Sequence, residues 1–150
     1  MEKDSFFARK KKTQKSRIWK DIKVYKEIII IIVAITLVIS LDIVTNDYTK
    51  ETVEIMREKL TILREYIFEE NKEESDLQIP DIEKEWDERY KILAFYLEHD
   101  ELEKVDTELT SIKAFLDMEE YSECMNSLDK CVFILEHIQE KEETSLKSVF

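Results

Sequence analysis

From Ile28 to Leu41 the chain reads IIIIIVAITLVISL, with no charged residue, whereas beyond residue 45 apolar positions recur at steps of three and four among charged ones. A run of this length fits a buried core helix, the apolar part of a cleaved signal, or a membrane anchor. The flanks separate these readings. Val24 and Tyr25 extend the run on one side, and Ile43 and Val44 extend it beyond Asp42. As a helix, residues 24–44 would reach roughly 31 Å at ~1.5 Å per residue, about one hydrocarbon core. Lys26 can snorkel to headgroups, and Asp42 lies close to the opposite surface. Trp19 and Tyr25 on one side and Tyr48 on the other suit the two interfacial aromatic belts. A cleaved signal needs paired small residues at its cleavage site, and Ser40-Leu-Asp-Ile-Val-Thr45 offers none. A core helix keeps a polar face, and this run is apolar all round. The pattern therefore predicts an uncleaved single-pass anchor over residues 24–44, represented by Ile28, Ile32, Leu37 and Leu41.

Outside that segment the periodicity predicts four amphipathic helices. Val53, Met56, Leu60, Leu63 and Ile67 form a heptad-type stripe, and no breaker separates it from the anchor. One long helix is expected to leave the membrane as a stalk. Its stripe can face the protein's own second and fourth helices, or a second copy in a homodimeric coiled coil. The stretch NKEESDLQIP, with its charge, Asn, Ser and Pro80, is predicted as the longest loop. Asp81 is placed to cap a second helix carrying Ile82, Trp86, Tyr90, Leu93 and Leu97. Register is lost near Glu98-His99-Asp100. A third helix carries Leu102, Val105, Leu109, Ile112 and Leu116. A short link at Asp117-Met118-Glu119 leads to a fourth with Tyr121, Cys124, Leu128, Cys131, Leu135 and Ile138. Leu146, Val149 and Phe150 in the tail are expected to fold back onto the bundle end. Short links imply antiparallel neighbours, with a core built on Trp86, Tyr90, Leu93, Leu109, Leu128 and Leu135.

Composition strengthens the all-α reading. The chain has no Gly and only one Pro, which suits long helices and not strands with tight turns. Charge adds a direction. Residues 1–27 hold ten Lys or Arg against four Asp or Glu, a balance of +6, and residues 28–150 hold 13 against 31, a balance of −18. Arg9, Lys10, Lys11, Lys12, Lys15, Arg17, Lys20 and Lys23 put the N-terminus in the cytoplasm by the positive-inside rule. The same cluster could tether lipid headgroups or nucleic acid, but orientation alone accounts for it. The expected organisation is a basic cytoplasmic tail at 1–23, the anchor at 24–44 and an acidic extracytoplasmic bundle at 45–150. The acidic bundle argues against nucleic acid as a partner.

The motifs EKEW, EHDELEKVDTEL, AFLDMEEYSEC and LEHIQEKEETSLKSVF, which hold Trp86, His99, Glu101, His137 and Phe150, resemble an uncharacterised bacterial family, domain of unknown function 4363. The resemblance is best from Trp86 to Phe150. It implies a small membrane-anchored helical protein of Gram-positive bacteria and supplies no activity. It also suggests a YetF-like membrane protein as a neighbour and candidate partner.

The chemistry-bearing residues are few. His99 with Glu103 and His137 with Glu140 are the weak candidates for a metal, since imidazole and carboxylate together bind transition ions. A di-metal bundle site wants a Glu three residues before each His, and positions 96 and 134 are Tyr and Ile. Both histidines read instead as helix-end residues that meet free carbonyls or the dipole. Cys124 and Cys131 on one helix stripe would have Cα atoms roughly 10 Å apart, too far for a disulfide. They read as small core residues. Trp86 reads as a core anchor and not a ligand platform. No acid–base couple, phosphate loop or cofactor motif stands out, so neither catalysis nor a cofactor is expected. The expected role is structural or regulatory: a bundle, held to the lipid bilayer of the cell membrane, that binds another membrane or envelope protein or a second copy. The alternative is a bundle that senses a cation or small ligand.

Overall fold

The structure, a computed structural model, describes the backbone of residues 2–149 and the side chains of residues 25–144. It has four helices: α1 (Glu2–Phe68), α2 (Lys72–Leu93), α3 (His99–Asp117) and α4 (Tyr121–Val149). The described residues contain no strand. The chain divides into two compact units, Met1–Asp42 and Ile43–Phe150.

In the first unit the apolar run is largely exposed among the described residues. Ile28, Ile32, Leu37 and Leu41 are 45%, 57%, 56% and 58% exposed. Its two hydroxyls are satisfied within the helix, Thr36 donating to the Ile32 carbonyl at 2.9 Å and Ser40 to the Thr36 carbonyl at 2.8 Å. By length and composition this helix suffices to cross a membrane. The basic cluster at residues 9–23 and Trp19 lie outside the described side chains.

The second unit is an up-down-up-down four-helix bundle. Ion pairs fix the order of its helices. Lys59 on α1 meets Asp81 and Glu85 on α2, Lys113 on α3 meets Glu83 on α2, Lys141 on α4 meets Glu101 on α3, and Arg57 and Arg64 on α1 meet Glu136 and Asp129 on α4. With Glu51–Arg89 added between α1 and α2, Trp86–Asp106 between α2 and α3, and Cys124 to the Ile112 carbonyl between α3 and α4, residue numbers rise on one partner as they fall on the other, so all four neighbouring pairs are antiparallel. These surface pairs contribute little energy each, typically about 0–1 kcal/mol. The core does the holding. Val53, Met56, Leu60, Leu63 and Ile67 of α1 are buried with Ile82, Trp86 and Leu93 of α2, Leu102, Val105, Leu109, Ile112 and Leu116 of α3, and Leu128, Leu135 and Ile138 of α4. The stretch expected as a stalk is therefore one of the four bundle helices, and its stripe faces the protein's own chain. Trp86 is buried and donates its indole N–H to Asp106 on α3, while Tyr90 stands half-buried at its edge, with ring centroids 6.0 Å apart.

The predicted loop NKEESDLQIP is helix instead. Only residues 69–71 link α1 to α2, and Pro80 lies inside α2. Asn71, not Asp81, is the cap, its side chain accepting from the Glu74 N–H at 3.2 Å. Asp81 faces outward and pairs with Lys59, a hydrogen bond that holds its carboxyl below the usual range. The buried stripe of α2 begins at Ser75, whose hydroxyl donates to the Asn71 carbonyl at 2.8 Å, and runs on through Ile79. That satisfied hydroxyl lets a polar residue enter the core, and the exposed Pro80 sits on the outer face. The longest link is the five-residue segment 94–98. The tail is not folded back as a separate piece, because α4 continues to Val149; its side chains, Leu146, Val149 and Phe150, lie outside those described.

With no Gly to end them, α1 and α3 close by the same device. Glu70 (φ 54°) and Glu119 (φ 59°) adopt the left-handed conformation. Asn71 N–H reaches the Tyr66 carbonyl and Glu120 N–H the Phe115 carbonyl, each at 2.9 Å, the crossed pattern that normally recruits Gly. Both thiols are buried in α4. Burial pushes Cys124 up to about 11 and, helped by Glu108, Cys131 up to about 12.

These features predict four changes in a fragment of residues 43–150, read by chemical denaturation and circular dichroism. Trp86→Ala costs ~3–5 kcal/mol, the usual loss for a buried aromatic. Leu60→Asp unfolds the fragment, because an unpaired charge replaces a fully buried side chain; a folded variant would show that the stripe is not core. Glu119→Gly stabilises by ~1 kcal/mol, relieving a left-handed non-Gly residue. The contribution of the two thiols to stability is level below pH 9.0, their ordinary value, and falls as the pH rises toward 12, because the folded state holds its thiol protons longer than the unfolded chain. Replacing both cysteines with Ala should flatten the part of that fall that the thiols cause.

Candidate functional site

The metal candidates are not brought together. His99 is the first residue of α3, where the dipole disfavours a cation. Its Nδ1 lies 3.3 Å from the Tyr90 hydroxyl and its ring stacks on Tyr90 at 6.2 Å, so it closes the α2–α3 corner and does not end a helix on free carbonyls. His137 lies inside α4, stacked on the exposed Phe133 at 6.4 Å. Glu103 and Glu140 are exposed on the surfaces of α3 and α4. Among the described residues no group of three or more His, Cys, Asp or Glu is placed to hold a metal.

Two regions do gather functional groups, one at each end of the bundle. The first is a polar seam where the second unit begins. Here the heptad stripe of α1 turns polar, with Thr49 and Thr52 buried. Each threonine hydroxyl donates back to the carbonyl four residues earlier, Thr49 to Thr45 and Thr52 to Tyr48. The Tyr96 hydroxyl donates to the Thr45 carbonyl at 3.2 Å and lies 3.0 Å from the Thr49 hydroxyl. Burial raises the Tyr96 pKa. Beside it the Arg89 side chain is only 12% exposed. Its guanidinium reaches Glu85 at 2.7 Å, Thr52 at 3.2 Å and Glu51 at 3.4 Å, and stands 5.7 Å from the Tyr48 ring centre. Burial works against that charge, but Glu85, Tyr48 and Glu51 more than offset it and lift the Arg89 pKa. With each arm of Arg89 engaged, the seam locks α1 to α2 and offers no free reactive group. One atom here stands unsatisfied, the buried Asn46 Oδ1.

The second region lies at the far end, where α1 finishes and α4 begins. An open groove of about 440 Å³ is lined by Arg64, Glu65 and Phe68 of α1, by Glu69 of the link that follows and by Met125 of α4. Phe68, the last residue of α1, is 80% exposed although the helix end around it is ordered, the N–H groups of Glu69, Glu70 and Asn71 bonding to the Glu65, Ile67 and Tyr66 carbonyls. The two links at this end carry Glu69, Glu70, Glu119 and Glu120, with Met118 exposed among them. The electrostatic reach of Glu119 and Glu70 to Tyr121 brings the two links into one neighbourhood. The groove thus sets Phe68 and Met125 between the Arg64 guanidinium and the carboxylates of Glu65 and Glu69, the last of which begins an acidic link. Sequence periodicity does not reveal it, because Phe68 lies one position past the stripe residue Ile67. The one available signal was an aromatic directly before a run of Glu.

Neither curated proteins nor solved structures give a match to the chain. A family model does match, over residues 43–149, beginning with the first residue of the bundle unit. The chain thus belongs to the family described as Domain of unknown function (DUF4363).

Proposed function

We propose that the chain is a single-pass signal-anchor protein of a bacterial cell membrane that holds its bundle outside the cell to bind another membrane or envelope protein. Three observations support the anchor. The apolar run is uncovered, its hydroxyls are satisfied by its own backbone, and it is a continuous helix, which satisfies its own backbone groups as lipid requires. The Lys and Arg residues clustered from Arg9 to Lys23, just before the run, support a cytoplasmic N-terminus.

The observation that carries the binding role is Phe68. Burying a Phe side chain is worth about 1.5–3 kcal/mol, yet this one stays in water on an ordered helix end beside Met125. An exposed aromatic in a groove with a polar rim is the pattern of an interface anchor. The acidic link that Glu69 begins favours a partner whose facing surface is basic.

Two experiments test this. For topology, single cysteines at Thr13 and at the exposed Glu73 are probed in intact cells with a membrane-impermeant thiol reagent, on a background lacking Cys124 and Cys131. Labelling is expected at 73 and protection at 13; the reverse pattern overturns the orientation. For binding, a photo-crosslinking residue at Glu65 should trap a protein in native membranes, and Phe68→Ala should reduce the adduct. A crosslinker at the exposed Thr107 serves as control. Equal adducts at 65 and 107, unchanged by Phe68→Ala, would remove the groove from the function.

A further inference from the structure

The other end of the bundle carries an aromatic that neither the core nor the groove uses. Phe95, in the link between α2 and α3, is 88% exposed, and Ile92 in the last turn of α2 is 46% exposed. The link is not loose. Ala94 N–H bonds to the Tyr90 carbonyl, Phe95 N–H to Ile92, Tyr96 N–H to Leu93 and Leu97 N–H to Leu93, at 2.8–3.2 Å. Leu97 is buried on one side of Phe95, and Tyr96 is fastened to Thr45 and Thr49. The ring is thus presented to its surroundings by an ordered turn.

The level of this turn is set by the Tyr96 bond. Its acceptor, Thr45, follows directly on Val44, the last residue of the apolar run. Ile43 and Val44 are themselves 49% and 65% exposed. The charges around the turn are also unlike those at the far end. Glu98 and Glu101 are both held by Lys141, at 3.1 Å and 2.8 Å, and Lys91 is exposed in the last turn of α2. The links at the groove end carry four Glu, which phosphate headgroups would repel, whereas here Lys141 and Lys91 offset part of the charge of Glu98, Asp100 and Glu101. Asp100 is exposed here as well, so the contact is apolar and not driven by anionic lipid.

We propose that Phe95 is a membrane contact: the α2–α3 turn rests in the interfacial layer of the bilayer that α1 crosses, with the Phe95 ring and Ile92 among the headgroups and upper acyl chains. Apolar side chains such as Phe gain by burial at the boundary of headgroups and acyl chains. This rests on the anchor reading above. It gives the bundle a second attachment besides its covalent one, which limits its tilt.

The test uses the full chain in phosphatidylcholine vesicles, with Cys124 and Cys131 replaced by Ala and a single nitroxide at residue 35, 73, 92 or 95. Power saturation gives the accessibility of each probe to oxygen, which collects in lipid, and to a nickel chelate, which stays in water. The expected order of the oxygen-to-nickel ratio is 35, then 95 and 92, then 73. Phe95→Asp should lower the ratio at 92 to that at 73, while circular dichroism stays unchanged because the side chain is exposed. If 35 is lipid-like but 95 and 92 match 73, the contact is wrong and the anchor stands. If 35 also matches 73, the anchor fails and the proposal fails with it.

Discussion

The fold depends on the second half of α1 being covered. Met56, Leu60 and Leu63 lie on one face of that helix and none of them is reached by water. An isolated amphipathic helix of this kind is marginal in water, and its stability comes from packing that face. The other three helices do so with stripes of the same period. The pairing order is then fixed by sequence adjacency and by the basic residues of α1, which meet acids on α2 along one flank and on α4 along the other. Geometry and burial supply the energy, and the charges select among packings that would bury similar area.

Where the stripe could be read, the fold was legible. The third helix reads in the chain as it stands in the structure, because Leu102 to Leu116 keep an unbroken three-four rhythm with no residue of conflicting preference. The second helix was half hidden. Pro80 and Ser75 both argue for a loop by local propensity, and tertiary burial overrode them. The cue was nonetheless present: Asn71 followed three residues later by Glu74 is the spacing of a reciprocal helix cap. His99 misled for a related reason. It begins a helix and does not end one, and only the Tyr90 ring beside it explains its place.

The two end regions were harder to see, since each depends on residues distant in sequence. Nothing near Arg89 announces that Thr52 and Glu51 will meet it, and nothing near Tyr96 announces Thr45. Hydroxyls at stripe positions 49 and 52 read as breaks in a hydrophobic pattern, whereas in the bundle they form a polar layer. Such layers cost stability when incompletely satisfied, as Asn46 Oδ1 is, but they allow one register and penalise a shifted one.

The closure of α1 by α4 has a consequence for biosynthesis. Arg64 and Asp129 are 65 residues apart in sequence, so the α1 face waits for an element made later. Translation runs at about 5–20 residues per second, which leaves the α1 stripe without its final neighbour for roughly 3–13 seconds. During that interval a nascent chain beside another exposes a surface able to pair with its like. Arg57 and Arg64 sit on that same helix, and two copies laid side by side would bring these guanidinium groups toward each other. In a parallel, in-register pair such like charges would disfavour association until α4 supplies Glu136 and Asp129.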